Sequence, residues 1–365
     1  MPRENPGLAE LQAILKHENA TWEAGVTELS ALSADERVLR LGYRPGPGEE
    51  SLEARIESSR VNLTAAMAAA VGYPSSYDLR NVGGKNFITP IRNQGGCGSC
   101  VAFGTAATVE GTQRVLRGDP NLAADFSEAQ LFYCIAKSQG RNCANGWWVG
   151  PALDGFKNPG IVDEACFPYT AGDQNCKLCS DWQNRVTKIT AWHTITNPSQ
   201  MKEWLSGGKG PLATCFTVYD DFFSYRSGVY HHVTGGLAGG HCVCCVGYDD
   251  TQRCWICKNS WGAGWGDSGF FRIAYGDCGI DSTMWAVDGI EATGWQYNKR
   301  VIGLWAIDQT RNAWVYVDGL GWRKISPDND NIFFSMLAEL VLAKAAARPV
   351  NFHEVQGTIK QVYVL

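Results

Sequence analysis

No stretch of about 18 consecutive apolar residues occurs in this chain, so no helix of it is expected to cross a bilayer. No run of Lys or Arg occurs either, and 32 basic against 37 acidic residues leave a net charge of −5. That balance argues against a nucleic-acid partner and against docking on an anionic membrane surface. The N-terminus, Met1-Pro2-Arg3-Glu4-Asn5-Pro6, lacks an apolar core segment and does not read as a signal peptide as it stands. Disorder is not expected, because 45% hydrophobic and 11% aromatic content is that of a globular protein with a substantial core. The 365 residues suffice for two or three domains.

Cysteine, by contrast, is abundant. Fourteen in this length are too many for a typical cytosolic protein, and their spacing suggests a disulfide framework around one reserved thiol, hence a secreted, lumenal or periplasmic compartment. Two CxxC pairs, Cys176/Cys179 and Cys254/Cys257, raise zinc as a competing use. In an extended strand residues i and i+3 point to opposite faces, which disfavours a shared ion at Cys254 and Cys257. No metal and no cofactor are expected.

The segment Asn93-Gln94-Gly95-Gly96-Cys97-Gly98-Ser99-Cys100 places one cysteine where a helix should start. Ser99 reads as its cap, Val101 to Arg117 as its body and Gly118 as its stop. A sulfur there feels the positive end of the helix dipole, which favours the nucleophilic thiolate if an imidazole meets it. Gly239-Gly240-His241-Cys242-Val243 offers that imidazole at the head of an apolar run reaching Tyr248 that reads as a buried strand. Asn259, in Lys258-Asn259-Ser260-Trp261-Gly262, could accept the other ring N–H, with Trp261 shielding the bond from water. The remaining histidines, His17, His193, His231, His232 and His353, have no comparable context.

His241 lies 141 residues after Cys100 and Asn259 lies 159 after it, close to the separations in papain-like enzymes. Through QGGCGSC, GGHCV and NSWGAGWGDSGFFRI the chain resembles the papain family of cysteine peptidases from about Tyr73 to Val287. The resemblance implies that Cys100 attacks the peptide carbonyl, His241 is acid and base, Asn259 orients it, and Gln94 with the Cys100 amide holds the oxyanion. Such donors are worth roughly 3–4 kcal/mol in the transition state. It further implies disulfides Cys97–Cys143 and Cys134–Cys176, and leaves the pairing of Cys166, Cys179, Cys215, Cys242, Cys244, Cys245, Cys254, Cys257 and Cys278 open. Gly146 matches the glycine whose backbone pairs with substrate. Thr283, five positions after Cys278, falls where the family lines the floor of the S2 pocket; being small and uncharged, it favours an apolar or aromatic P2 side chain over a basic one. Val101 and Cys242 replace the aromatic and the small residue usual at their positions, without removing a catalytic group.

The fold class expected is α+β: a papain-like pair of lobes, one helical and one β-barrel-like, with a helical N-terminal prosegment and a small α+β C-terminal domain. Residues 1–72 carry helical patterns at Leu8 to His17 and Leu52 to Val71. Thr21-Trp22-Glu23-Ala24-Gly25 with Leu41-Gly42-Tyr43 resembles the short cathepsin B propeptide, which implies that this segment blocks the cleft, and Arg44 to Gly48 reads as an extended crossing. The catalytic domain spans 73–290. No insert with a histidine pair lies between Cys97 and Cys143, which removes the reason to expect dipeptide trimming and favours endopeptidase action. Residues 294–365 exceed the resemblance. They read as strands at Val301 to Ile307, Ala313 to Val317 and Gln361 to Leu365, with a helix at Ile332 to Ala347. Trp295, Trp305, Trp314 and Trp322 are dense enough to stack on a sugar or a peptide, and packing within this small domain is the favoured reading.

The reading is a cysteine endopeptidase made as a zymogen, acting on proteins or peptides, with its own N-terminal segment as inhibitor. A catalytically silent binding module and a thiol acyl transferase are the alternatives.

Overall fold

A computed structural model describes residues 7–67, 72–291, 294–355 and 357–365. The chain divides into two compact units, Met1–Ile290 and Glu291–Leu365.

The first unit opens with α1 (Leu8–His17), β1 (Trp22–Ala24), α2 (Ala34–Val38) and α3 (Leu52–Met67). Ser33 and Glu36 close a reciprocal capping box that starts α2. The expected end of the α3 pattern, residues 68–71, lies outside the described residues. After β2 (Ser76–Asp78) comes α4 (Cys100–Arg117), which ends at Gly118 in the left-handed conformation, φ 64°. A π-helical stretch, Gln130–Ala136, and α5 (Val149–Lys157) pack on α4 around Val101, Val109, Phe132 and Leu153 to form the helical lobe.

Then follow β3 (Trp192–Ile195), α6 (Pro198–Ser206), β4 (Leu212–Tyr219), β5 (Tyr225–Tyr230), β6 (Leu237–Asp249), β7 (Cys254–Lys258), β8 (Phe270–Ala274) and β9 (Met284–Val287). These strands form one sheet in the order β1-β5-β8-β7-β6-β4-β9-β3, with β2 paired to β6. The sheet is open, with β1 and β3 at its edges, so the barrel-like lobe expected from the sequence is not a closed barrel. The N-terminal β1 pairs antiparallel with β5, and Trp22, 3% exposed, packs against Tyr225 and Tyr230. The prosegment thereby becomes an edge of the catalytic sheet.

The second unit has β10 (Gly294–Lys299), β11 (Val301–Ala306), β12 (Ala313–Val317), β13 (Gly321–Ile325), α7 (Asp330–Ala345), β14 (Val350–Val355) and β15 (Thr358–Val364), with sheet order β10-β14-β15-β13-β12-β11. Its core is Val315, Val317, Ile325, Phe333, Leu340, Phe352 and Ile359. The tryptophans expected there are not its core. Trp305 and Trp322 are about half exposed and Trp314 is half-buried, because strand alternation sends Val315 and Val317 inward and Trp314 outward. The side chain of Trp295 lies outside the described residues.

Candidate active site

Cys100 is the first residue of α4, and the loop before it is pinned by the Cys97–Cys143 disulfide and by the Gly98 N–H donating to the Cys143 carbonyl. Ser99 does not cap the helix as expected; its hydroxyl bonds the Tyr169 hydroxyl at 2.8 Å, and Tyr169 also donates to the Gln94 carbonyl. The cap is given up for a tie that links the Cys100 helix to the Gln94 loop. Further bridges join Cys134 to Cys176 and Cys166 to Cys179, so the cysteines of the first CxxC pair belong to two different disulfides.

His241 lies on β6 and Asn259 just beyond β7, antiparallel neighbours, so the two side chains meet. His241 Nε2–H donates to Asn259 Oδ1 at 2.8 Å, and the Trp261 indole stacks on the imidazole with ring centres 4.6 Å apart. This leaves Nδ1 as the free nitrogen, buried without a hydrogen-bond partner. Gln94 is fully buried and its amide is oriented by Ser260, whose hydroxyl donates to Gln94 Oε1 at 2.7 Å. Sequence reasoning missed Ser260, although it stands within the Asn259 motif.

Arg40 to Arg44 runs through the space between these groups. Gln94 Nε2 donates to the Arg40 carbonyl at 3.0 Å, and the Gly42 N–H donates to Cys100 Sγ at 3.3 Å. Tyr43 N–H donates to the Gly240 carbonyl, and the Trp147 main chain receives Arg44 and donates to Gly42. The sulfur therefore faces an amide hydrogen rather than a carbonyl carbon. Gly42 is required for it: a Cβ there would stand 1.8 Å from the Gly98 carbonyl oxygen. Gly146, φ 63°, gives the same clearance from the other side, since its Cβ would meet the Gly42 oxygen at 2.0 Å. The main-chain pairing itself is made by Trp147, not Gly146. On β6, the bare Gly240 admits Tyr43.

Cover of this kind changes the electrostatics expected at a helix start. Burial pushes the Cys100 thiol up to about 12, with neighbouring Cys242 adding to the shift; the main-chain N–H groups of Cys242, Gly42 and Tyr43 oppose it without winning. Burial likewise pushes His241 down to about 4 against the opposing Asn259 bond. Both groups are thus uncharged at neutral pH, and the thiolate–imidazolium pair is absent while the segment is in place.

Thr283 lies beside the cleft, and its main-chain carbonyl accepts from Arg55 of α3. His231, read as surface, lies beside the N-terminal segment, its carbonyl accepting from Trp22 Nε1, whereas His232 stacks on Tyr219 of β4. The thiols of Cys215, Cys242, Cys244, Cys245, Cys254, Cys257 and Cys278 are free and buried.

A cysteine-bearing helix facing a histidine-bearing sheet, with part of the N-terminal segment between them, is the arrangement found in thiol hydrolases. The family model for papain family cysteine protease matches residues 73–287. Cathepsin B-like CP3 from Giardia intestinalis is 33% identical over 289 residues, covering 74% of this chain and 90% of that protein. A cathepsin L-like proteinase from Fasciola hepatica is 35% identical over 57% of this chain and 64% of its own. Among solved structures, procathepsin L2 from the Tenebrio molitor larval midgut has a TM-score of 0.62 at 26% identity, covering 77% of this chain and 88% of its own. Procathepsin B S9 from Trypanosoma congolense shares the fold at a TM-score of 0.62 and 23% identity, covering 79% of this chain and all of its own. The chain belongs to the papain family of cysteine proteases.

Proposed function

We propose that the protein is the zymogen of a cysteine endopeptidase in which Cys100 is the nucleophile, His241 the acid and base, and Asn259 its orienting partner. Gln94 and the Cys100 amide hold the oxyanion, and residues 1 to about 72 inhibit until removed. The observation that carries this is the Arg40–Arg44 stretch, which lays its Arg40 carbonyl on the Gln94 donor and its Gly42 amide on the Cys100 sulfur. Attack by sulfur splits hydrolysis into acylation and deacylation, with His241 moving the proton in each. Tyr43, seated at Gly240 and Trp147, supports an apolar or aromatic P2 residue in substrates. Three disulfides suit an oxidising secreted or lumenal compartment.

The test is intact mass after an epoxysuccinyl thiol probe, applied to the full chain, to a chain processed at mildly acidic pH, and to Cys100→Ala. One adduct confined to the processed wild type is expected. No adduct in any form would favour the silent binding module, and product carrying an added amine would favour the acyl transferase.

A further inference from the structure

Cys100, Cys242 and Cys215 are free thiols of one buried cluster, and Cys242 stands between the other two. Its main-chain N–H faces the Cys100 sulfur, and its own sulfur fills the space a side chain at Gly104 would take, 2.9 Å from the position of that missing Cβ. Gly104 lies one turn beyond Cys100 on the same face of α4. Side chains on a helix lean toward its N-terminus, so the Cys242 sulfur sits on the Cys100 side of that turn.

On its other side Cys242 of β6 pairs across the ladder with Cys215 of β4. The Gly240 carbonyl accepts from Tyr43, the Thr217 N–H donates to the Cys278 carbonyl, and the Cys215 carbonyl accepts from Arg55 at 2.9 Å. The main-chain groups at these ladder positions therefore point away from the facing strand. Cys215 and Cys242 are thus a non-hydrogen-bonded pair, the kind whose Cα atoms stand about 4.5 Å apart, within the roughly 4.4–6.8 Å that a disulfide spans. The Cys242 thiol is already a hydrogen-bond neighbour of the Cys215 thiol. All three cysteines lie within residues 73–290 and stay together when the N-terminal segment is removed.

We propose that Cys242 and Cys215 form a thiol relay that rescues Cys100 from oxidation in the processed enzyme. The proposal rests on the peptidase reading of Cys100 and adds a redox function to the same site. With hydrogen peroxide as the oxidant, the uncovered Cys100 thiolate takes one oxygen to become a sulfenic acid, and the other oxygen leaves as water once protonated. The Cys242 sulfur then attacks the Cys100 sulfur. An S–S bond forms, the S–O bond breaks, and the hydroxyl leaves with the Cys242 proton as water. Cys215 next attacks the Cys242 sulfur, which closes Cys215–Cys242 and returns Cys100 as a thiol carrying the Cys215 proton. The leaving group sets this direction: uncovered Cys100, at a helix start beside His241, is the most acidic of the three and departs fastest. Two electrons pass from Cys215 and Cys242 to the peroxide, and Cys100 ends unchanged. Without a neighbouring thiol, a sulfenic acid oxidises on to a sulfinic acid that thiol reductants do not reverse.

The experiment uses the full-length chain processed at mildly acidic pH, as wild type, Cys242→Ala and Cys215→Ala, exposed to hydrogen peroxide that catalase then removes. Alanine at 242 supplies the small residue usual at that position, and hydrolysis before peroxide reports that each variant is folded. Hydrolysis is read again before and after dithiothreitol, and non-reducing peptide maps locate the bridges. Wild type should show a Cys215–Cys242 bridge with Cys100 reduced, and should be inactivated at least about tenfold more slowly than Cys242→Ala. Cys215→Ala should stop at a Cys100–Cys242 bridge, inactive until dithiothreitol restores it. Cys242→Ala should lose activity irreversibly, its Cys100 peptide heavier by two oxygens. Equal inactivation of wild type and Cys242→Ala, with no bridge to Cys242, would overturn the relay and leave the peptidase reading intact. No hydrolysis before peroxide, with Cys100 unlabelled by the epoxysuccinyl probe, would remove both.

Discussion

Cys100 and His241 each sit in an environment whose burial suppresses charge, and Gly42 is the residue that lets the covering segment come so close. Its amide occupies the sulfur, and it passes the Gly98 carbonyl only because it has no side chain. Gly42→Val should push Arg40 to Arg44 out of the cleft, since such overlap costs roughly 1–3 kcal/mol. The unprocessed variant should then be alkylated at Cys100 about tenfold faster or more than wild type; an unchanged rate would mean the segment is held elsewhere. In the processed enzyme, Gln94→Ala should lower kcat by about 10²–10³ with KM little altered, because an oxyanion donor acts only in the transition state. Steady-state kinetics on one peptide substrate decides it.

At the scale of elements, the N-terminal segment is held by strand pairing through β1 and by helix docking through α3. Its β1 hydrogen-bonds to β5, and Trp22 fills a hollow between Tyr225 and Tyr230. Trp22→Ala should weaken that hold by about 3–5 kcal/mol, as for a large buried aromatic. Amide hydrogen exchange over residues 22–24 and 225–230 should quicken while exchange in α4 stays unchanged. Much at this scale was legible beforehand: α1 from its apolar spacing, α4 from its position between the cysteine motif and Gly118, and β6 and β7 from their apolar runs. The strand character of Trp22–Ala24 was not, because three residues become a strand only when an edge elsewhere in the chain accepts them. Nor was the π-helical form of Gln130–Ala136, although Ser127 does accept a hydrogen bond from the Gln130 N–H as a cap would.

The whole molecule adds a pH dependence. His241 in the covered protein takes its proton only near pH 4, whereas an exposed imidazole does so near 6.5. Between these values the open form binds a proton that the covered form does not. Cover is therefore fully favoured above pH 6.5 and loses, as pH falls to 4, on the order of 3 kcal/mol. Cys100, pushed up to about 12, keeps its proton throughout this window in the covered form. Alkylation of the unprocessed chain, corrected for the probe's own pH profile, should accelerate over that window; a flat profile would assign acid sensitivity to other groups. The two units have separate cores, so a chain ending at residue 290 should fold and, once processed, keep kcat/KM within about threefold of full length.

The sequence by itself determined the family: the order and spacing of the motifs around Gln94, Cys100, His241 and Asn259 mark a papain-family cysteine protease, and the proposed roles of those four residues are read from the same motifs. Side-chain identity carries that information, and it is written residue by residue. Only the tertiary structure decided what surrounds the site: the amide of Gly42 on the sulfur, the pairing carried by Trp147, the open sheet, the tryptophans outside the second core, and Arg55 on the carbonyls of Cys215 and Thr283. These depend on main-chain groups, which every residue possesses alike, and on burial, which belongs to the assembled chain rather than to any position in it.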